Sequence, residues 1–195
     1  MQLSWRIATL LLLAGLGSAG AAAALDYEFD RVHSQVGFEV SHAGFSMSQG
    51  RFKGIDGTFK FNPRHWDQAS CDVRIDIASL DMGDAAWRKK LLGKDWFNAG
   101  QHPQMRYLCT RLEQIDERHG RLHGELSLLG VTRPVTLDLT LNRVGMHKFA
   151  LQYAAGFSAS ARLRRSEFGM DRSIPDIGDD VIIRIEIEAT RRKKK

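Results

Sequence analysis

Val135-Thr136-Leu137-Asp138-Leu139-Thr140-Leu141 sets an aliphatic residue at every second position and a polar one between. Side chains alternate across a β-strand, so this stretch reads as a strand with one face in a core and one in water. The same period recurs outward. Val36, Phe38 and Val40 alternate with Gln35, Gly37 and Glu39. Val73, Ile75 and Ile77 alternate with Asp72, Arg74 and Asp76, and Ile183, Ile185 and Ile187 with Arg184, Glu186 and Glu188. Leu122, Leu126 and Leu128 fall at even positions. Further strands are predicted around Tyr27–Phe29, Arg51–Phe61, Met105–Leu112 and Tyr153–Leu163. Gly54, Gly57, Asn62-Pro63, Gly120, Gly130, Pro134, Gly145 and Gly178 punctuate the gaps. Eight or nine antiparallel strands at short spacing predict an all-β barrel or sandwich.

Asp84–Gly93 breaks the pattern. It contains helix formers and ends in glycine, and Trp87, Leu91 and Leu92 make an apolar stripe. Trp96 and Phe97 follow. A helix and aromatic loop of this kind can lie across an open barrel end as a lid or pack outside as a plain crossover; the pattern is compatible with both.

Phenylalanine is common at the apolar positions: Phe38, Phe45, Phe52, Phe59, Phe61, Phe97, Phe157 and Phe168. One strand face reads Tyr153, Ala155, Phe157, Ala159, Ala161, Leu163, and its alanines leave space. An eight-stranded barrel fills its interior with side chains or holds one ligand. An apolar hollow would suit an apolar ligand with a few polar anchors.

The chain has 195 residues. Residues 1–24 have a short start with Arg6, an apolar run Ile7–Leu16 and small residues suited to cleavage before Leu25. That is the pattern of a secretory signal peptide, and the run is too short to span a bilayer. Residues 25–190 are then one domain of ordinary size. They carry 22 Lys and Arg against 23 Asp and Glu, so the net charge of +5 comes from the tail Arg191–Lys195. A nucleic-acid binder carries its positive charge on the fold, so no nucleic-acid partner is expected. The basic tail is either a solvated end or a weak attractor for an anionic membrane surface. Cys71 and Cys109 form neither CxxC nor a zinc cluster. In an exported chain such a pair suggests a disulfide, two buried thiols being the alternative.

Several segments together resemble the YceI-like family. They are His33-Ser34-Gln35-Val36-Gly37-Phe38, Ser41-His42-Ala43-Gly44-Phe45-Ser46, Gly50-Arg51-Phe52 through Gly57-Thr58-Phe59, and Ile77-Ala78-Ser79-Leu80-Asp81. Asp95-Trp96-Phe97, His102-Pro103, Gly124–Leu137, Arg165–Met170 and Ile177–Val181 continue the series. Their order and spacing cover nearly all of residues 26–190. The resemblance implies a closed antiparallel lipocalin-like β-barrel of about eight strands, with one short helix inserted near residues 84–93. It further implies a periplasmic protein that stores or transports a polyisoprenoid, a quinone-type lipid or a similar amphiphile without catalysis, and a Cys71–Cys109 bridge between neighbouring strands. The expected apolar wall is Phe38, Val40, Phe52, Ile75, Ile77, Leu126, Leu137, Phe157 and Phe168. His42 and Arg165 are the candidate head-group contacts, and Trp87, Leu91, Trp96 and Phe97 the lid. No cofactor is required beyond a bound lipid or quinone, no metal is expected, and oligomeric state is open, a homodimer included. The chain departs from the family at Arg88-Lys89, where Arg-Asp is usual, and at Met82, where Thr is usual.

Two other classes compete. A filled barrel would make a structural or stress-related periplasmic module with no lipid ligand. An esterase would need a nucleophile and a base, but His33-Ser34 and Ser41-His42 are sequence neighbours that point to opposite strand faces. No G-x-S-x-G elbow is present.

Overall fold

The computed structural model describes residues 23–192. The expected signal peptide, up to residue 22, and Lys193–Lys195 of the tail lie outside the described residues. Among the described residues, eleven strands form one antiparallel sheet. They are β1 (Leu25–Phe29), β2 (Gln35–His42), β3 (Ser46–Phe52), β4 (Ile55–Phe61), β5 (Ser70–Asp76) and β6 (Leu80–Asp81). β7 (Gln104–Gln114), β8 (His119–Leu128), β9 (Val131–His147), β10 (Gln152–Arg164) and β11 (Ile177–Arg191) follow the helix α1 (Ala85–Leu91).

The sheet closes on itself. β1-β4-β5-β7-β8-β9-β10-β11 make a ring of eight, sealed where Tyr27 pairs with Arg191 and Phe29 with Ala189. The long β11 borders β1 at one end and β2 along the rest, pairing Ile183 with Phe38 and Ile177 with His42. β2, β3 and β6 extend the wall at the second end. Closure leaves the ring without an exposed edge that could pair with another chain. The alternation in the sequence is the physical cause: Ile183, Ile185 and Ile187 on β11 lie opposite Ala161, Ala159 and Phe157 on β10, all on the inner face.

Aromatic side chains plug the first end. Trp66, Phe61, Tyr27 and Phe157 are buried, and the Phe61 ring meets Trp66 and Phe157 edge-on at 5.5 and 5.1 Å. Such pairs add roughly 0.5–1.5 kcal/mol beyond their buried area. Trp66 fits because Gly120 lies under it; a Cβ there would sit 2.8 Å from the indole. Beside this end, Ser34 ties the corner between β1 and β2 to β11. Its Oγ donates to the Glu188 carbonyl and accepts the Glu188 N–H.

Helix α1 and the loop after it cover the second end. The Asp84 carboxylate accepts the Trp87 N–H at 2.7 Å, capping the first turn. The helix stops at Leu92, and the chain turns back so that the Phe97 N–H donates to the Leu91 carbonyl. Leu91 and Phe97 pack on Val36, Phe52, Met105 and Leu128, which come from four different strands. The helix is therefore a lid across the barrel end and not an outer crossover.

Three expectations change. Arg51–Phe61 is two strands, split at Lys53-Gly54. Phe45 is 93% exposed in the β2–β3 turn and belongs to no core. Arg191 is the last residue of β11, so the basic tail begins inside the sheet.

Candidate functional site

Between the two plugged ends the barrel is hollow. An inner cavity of about 160 Å³ is lined by Phe29, Ile75, Tyr107, Leu126, Leu137, Phe157, Ala159, Ala161 and Ile187, among others. An outer cavity of about 430 Å³ lies under the lid, between Phe38, Val40, Phe52, Trp87, Leu91, Trp96 and Phe97. Val36, Met105, Leu126, Leu163 and Ile183 line both, so the two spaces share a wall. Their combined size falls within the roughly 300–1,000 Å³ of small-molecule sites. Ala159 and Ala161 supply the room that the sequence of β10 announces; Ala155, next to Ala189, is absorbed into the aromatic plug.

Polarity is graded along this space. The inner part offers little beyond Ser70 and the Tyr107 hydroxyl. That hydroxyl lies 2.9 Å from the carbonyl oxygens of both Leu122 and Val135. Burial pushes the Tyr107 phenol well above its ordinary range, so it stays a neutral donor. Cys71 on β5 and Cys109 on β7 form a disulfide with 5.1 Å between their Cα atoms, and both residues line the inner cavity. Polar groups gather instead at the mouth: His42, Ser48, Lys90, Ser173 and Asp176 line the outer cavity.

Arg165 does not present a free fork there. It is 4% exposed, and its Nε, Nη1 and Nη2 donate to the carbonyls of Gly178, Met170 and Ile177 at 2.7–2.8 Å. Its guanidinium sits 5.5 Å from the centre of the Trp96 ring. Burial draws its pKa down, with Asp179 and Asp171 opposing. Arg165 lines the outer cavity with its fork already engaged, as a strut that ties the start of β11 and the loop before it to Trp96 of the lid.

Two expected wall residues fall outside the hollow. Ile77 is 1% exposed but leaves β5 for a short 3₁₀ turn, Ile77–Ser79, where its N–H bonds to the Pro103 carbonyl. Phe168, also 1% exposed, packs in the core from a second 3₁₀ turn, Arg165–Phe168. Neither borders the cavities. Phe38, Val40, His42, Phe52, Ile75, Leu126, Leu137, Phe157 and Arg165 do. Lys90 was not anticipated; its place three residues after Trp87 on the lid helix was the available signal. At the departures from the family pattern, Arg88 donates to the Leu80 and Ala78 carbonyls, fastening the lid to β6, and Met82 lines the mouth.

The esterase arrangement is not formed at His33-Ser34. Ser34 is spent on the backbone of Glu188, and the His33 ring bonds to Asp30 at 2.9 Å. Asp30, His33 and Glu188 bring ligand-type atoms within 4.8 Å of one another, a grouping the scattered histidines did not announce. Asp30 also accepts the N–H groups of Val32 and His33, so this cluster pins the corner between β1 and β2.

A closed antiparallel barrel around an apolar hollow, with a helical lid, defines a lipocalin-like architecture. The chain belongs to the YceI-like family, whose domain matches residues 27–189. A UPF0312 protein of Photorhabdus laumondii is 34% identical over 178 residues, covering 90% of this chain and 92% of that one. A UPF0312 protein of Pseudomonas savastanoi is 33% identical over 166 residues, covering 84% and 86%. Among solved structures, Burkholderia cenocepacia BcnA superposes with a TM-score of 0.74 at 27% identity, over 83% of this chain and 99% of that one. A polyisoprenoid binding domain from Saccharophagus degradans has the same fold, with a TM-score of 0.66 at 13% identity, over 86% and 99%.

Proposed function

We propose that this protein reversibly binds a long isoprenoid of the polyprenol or quinone type, or a similar amphiphile, as a non-catalytic periplasmic carrier or store. The observation that carries the reading is the pair of adjoining apolar cavities between Phe157 and the lid, with most polar groups at the mouth. A tail would enter past Trp87 and Phe97, and a head group would stay beside His42, Ser48 and Lys90. Family membership and the polyisoprenoid-binding domain of the same fold support this choice of ligand. The bound lipid is the only non-protein component the reading needs.

Energetics set what the site must do. Taking one five-carbon unit from water into the barrel is worth about 4 kcal/mol, at ~0.8 per methylene. Taking it from a bilayer gains little, because the tail is already out of water. Selection then rests on cavity shape and mouth contacts. The narrowness of the inner cavity favours a second reading, a filled barrel that serves a structural role without lipid. Mass spectrometry of organic extracts of the purified protein separates the two. A stoichiometric isoprenoid supports the carrier; no extracted lipid, together with no binding of added polyprenols or quinones, supports the filled barrel.

A further inference from the structure

We infer that the end of the barrel opposite the mouth is a docking surface for an anionic lipid bilayer, built from the β9–β10 hairpin tip and the basic end of β11. At the tip, Phe149 is 94% exposed and Leu151 78%, and Met146 and Tyr153 are also exposed. Four large exposed apolar side chains at one hairpin end, two on the turn and two on the strands beside it, are more than a water-facing turn needs. The chain end meets them: Met146, Leu151, Tyr153, Arg191 and Arg192 line one shallow hollow. Lys148 stands in the same turn, and Lys193–Lys195 follow in the sequence.

Charge complementarity selects the occupant. Lys148, Arg191 and Arg192 form no ion pair among the described residues. Of the acids near them, Asp26 pairs with Lys60, and Glu188 and Asp116 bond to the rings of His147 and His119, while Glu28, opposite Thr190, and Glu117 form no ion pair among the described residues. Apolar side chains ringed by unanswered cations match an anionic interface, where the rings enter the head-group layer and the cations meet phosphates. Residues 25–190 sum to near electrical neutrality.

The orientation follows from β11. It runs from Ile177, paired with His42 at the mouth, to Arg191, paired with Tyr27. That is about 45 Å of strand. A barrel docked by the Phe149 end holds its mouth away from the bilayer. Docking does not depend on what the cavity binds.

The test is flotation of tag-free protein with phosphatidylcholine vesicles, with and without about one third phosphatidylglycerol. The protein should float only with the anionic vesicles. Phe149→Ser/Leu151→Ser, and a chain ending at Arg191, should each weaken binding about tenfold. Phe45→Ser, an exposed change at the mouth, should leave binding intact. Phe149→Trp should show a blue-shifted emission on the anionic vesicles, which reports insertion of the tip itself. All of these positions are exposed, and circular dichroism checks that the variants keep the fold. Absence of flotation, flotation unchanged by the tip variants, or an unshifted emission from the Phe149→Trp variant overturns the inference. So does a dimer that the tip variants dissociate, because the tip would then be a protein interface.

Discussion

Tyr107 lies across Gly124: a Cβ at position 124 would come 2.5 Å from the phenol ring and 2.7 Å from its oxygen. The missing side chain lets the hydroxyl reach the Leu122 and Val135 carbonyls, coupling β7 to the backbones of β8 and β9. Gly124→Ala should therefore destabilise the barrel by about 1–3 kcal/mol through overpacking. Tyr107→Phe, which keeps the ring, should cost about 1 kcal/mol. Urea midpoints compare the two, and equal effects would mean that the close approach is not specific.

The same burial predicts an alkaline limit. Desolvation raises the pKa of Tyr107, and also that of Tyr27, above the ordinary value of 10. A raised folded-state pKa means that this stabilisation is complete below pH 10 and is lost as pH rises toward the folded pKa. Above pH 10 the unfolded chain ionises first, and stability should fall by up to about 1.4 kcal/mol per pH unit for each tyrosine. Unfolding curves from pH 8 to 11 should show this decline, and Tyr107→Phe should make it shallower.

Arg165 anchors backbone. Arg165→Met leaves the carbonyls of Gly178, Met170 and Ile177 without their donors and should cost about 2–4 kcal/mol. Arg165→Lys cannot reproduce three divergent donors and should recover less than half of the loss. Trp96 fluorescence should change in both, since the cation over its ring is lost or moved.

The Cys71–Cys109 bridge closes a separation of 38 residues across β5 and β7. The Cys71→Ala/Cys109→Ala pair should lower stability by about 2–4 kcal/mol. Unfolding with and without reductant measures it, and the double variant should be insensitive to reductant.

Most of the barrel was legible because burial of one face writes a period of two into each strand, as Val135–Leu141 and Ile183–Ile187 show. The hollow was legible more faintly: Ala159 and Ala161 announced room, but nothing on β10 tells whether a facing side chain fills it. Ile77 was misplaced because the alternation of β5 runs one residue past the ladder, which ends where Asp76 caps a 3₁₀ turn. Arg165 lines the outer cavity, but the three carbonyls that hold it, Met170 in the loop and Ile177 and Gly178 at the start of β11, lie 5 to 13 residues away and leave no periodic trace in the sequence. Phe45 carries the same residue letter as the core phenylalanines and is distinguished only by the turn around Gly44, which has a positive φ of 72°. Closure through Tyr27 and Arg191 joins the two ends of the chain, which no local pattern encodes.

The central claim is that the interior receives a lipid tail beside Ala159 and Ala161. Native mass spectrometry of the protein mixed with a polyprenyl phosphate or a ubiquinone, set against a folded Ala159→Phe variant, tests it most directly. A one-to-one complex in the natural chain and its loss in Ala159→Phe are the predicted result. Protein that remains free of lipid, or a complex that Ala159→Phe leaves untouched, would contradict it.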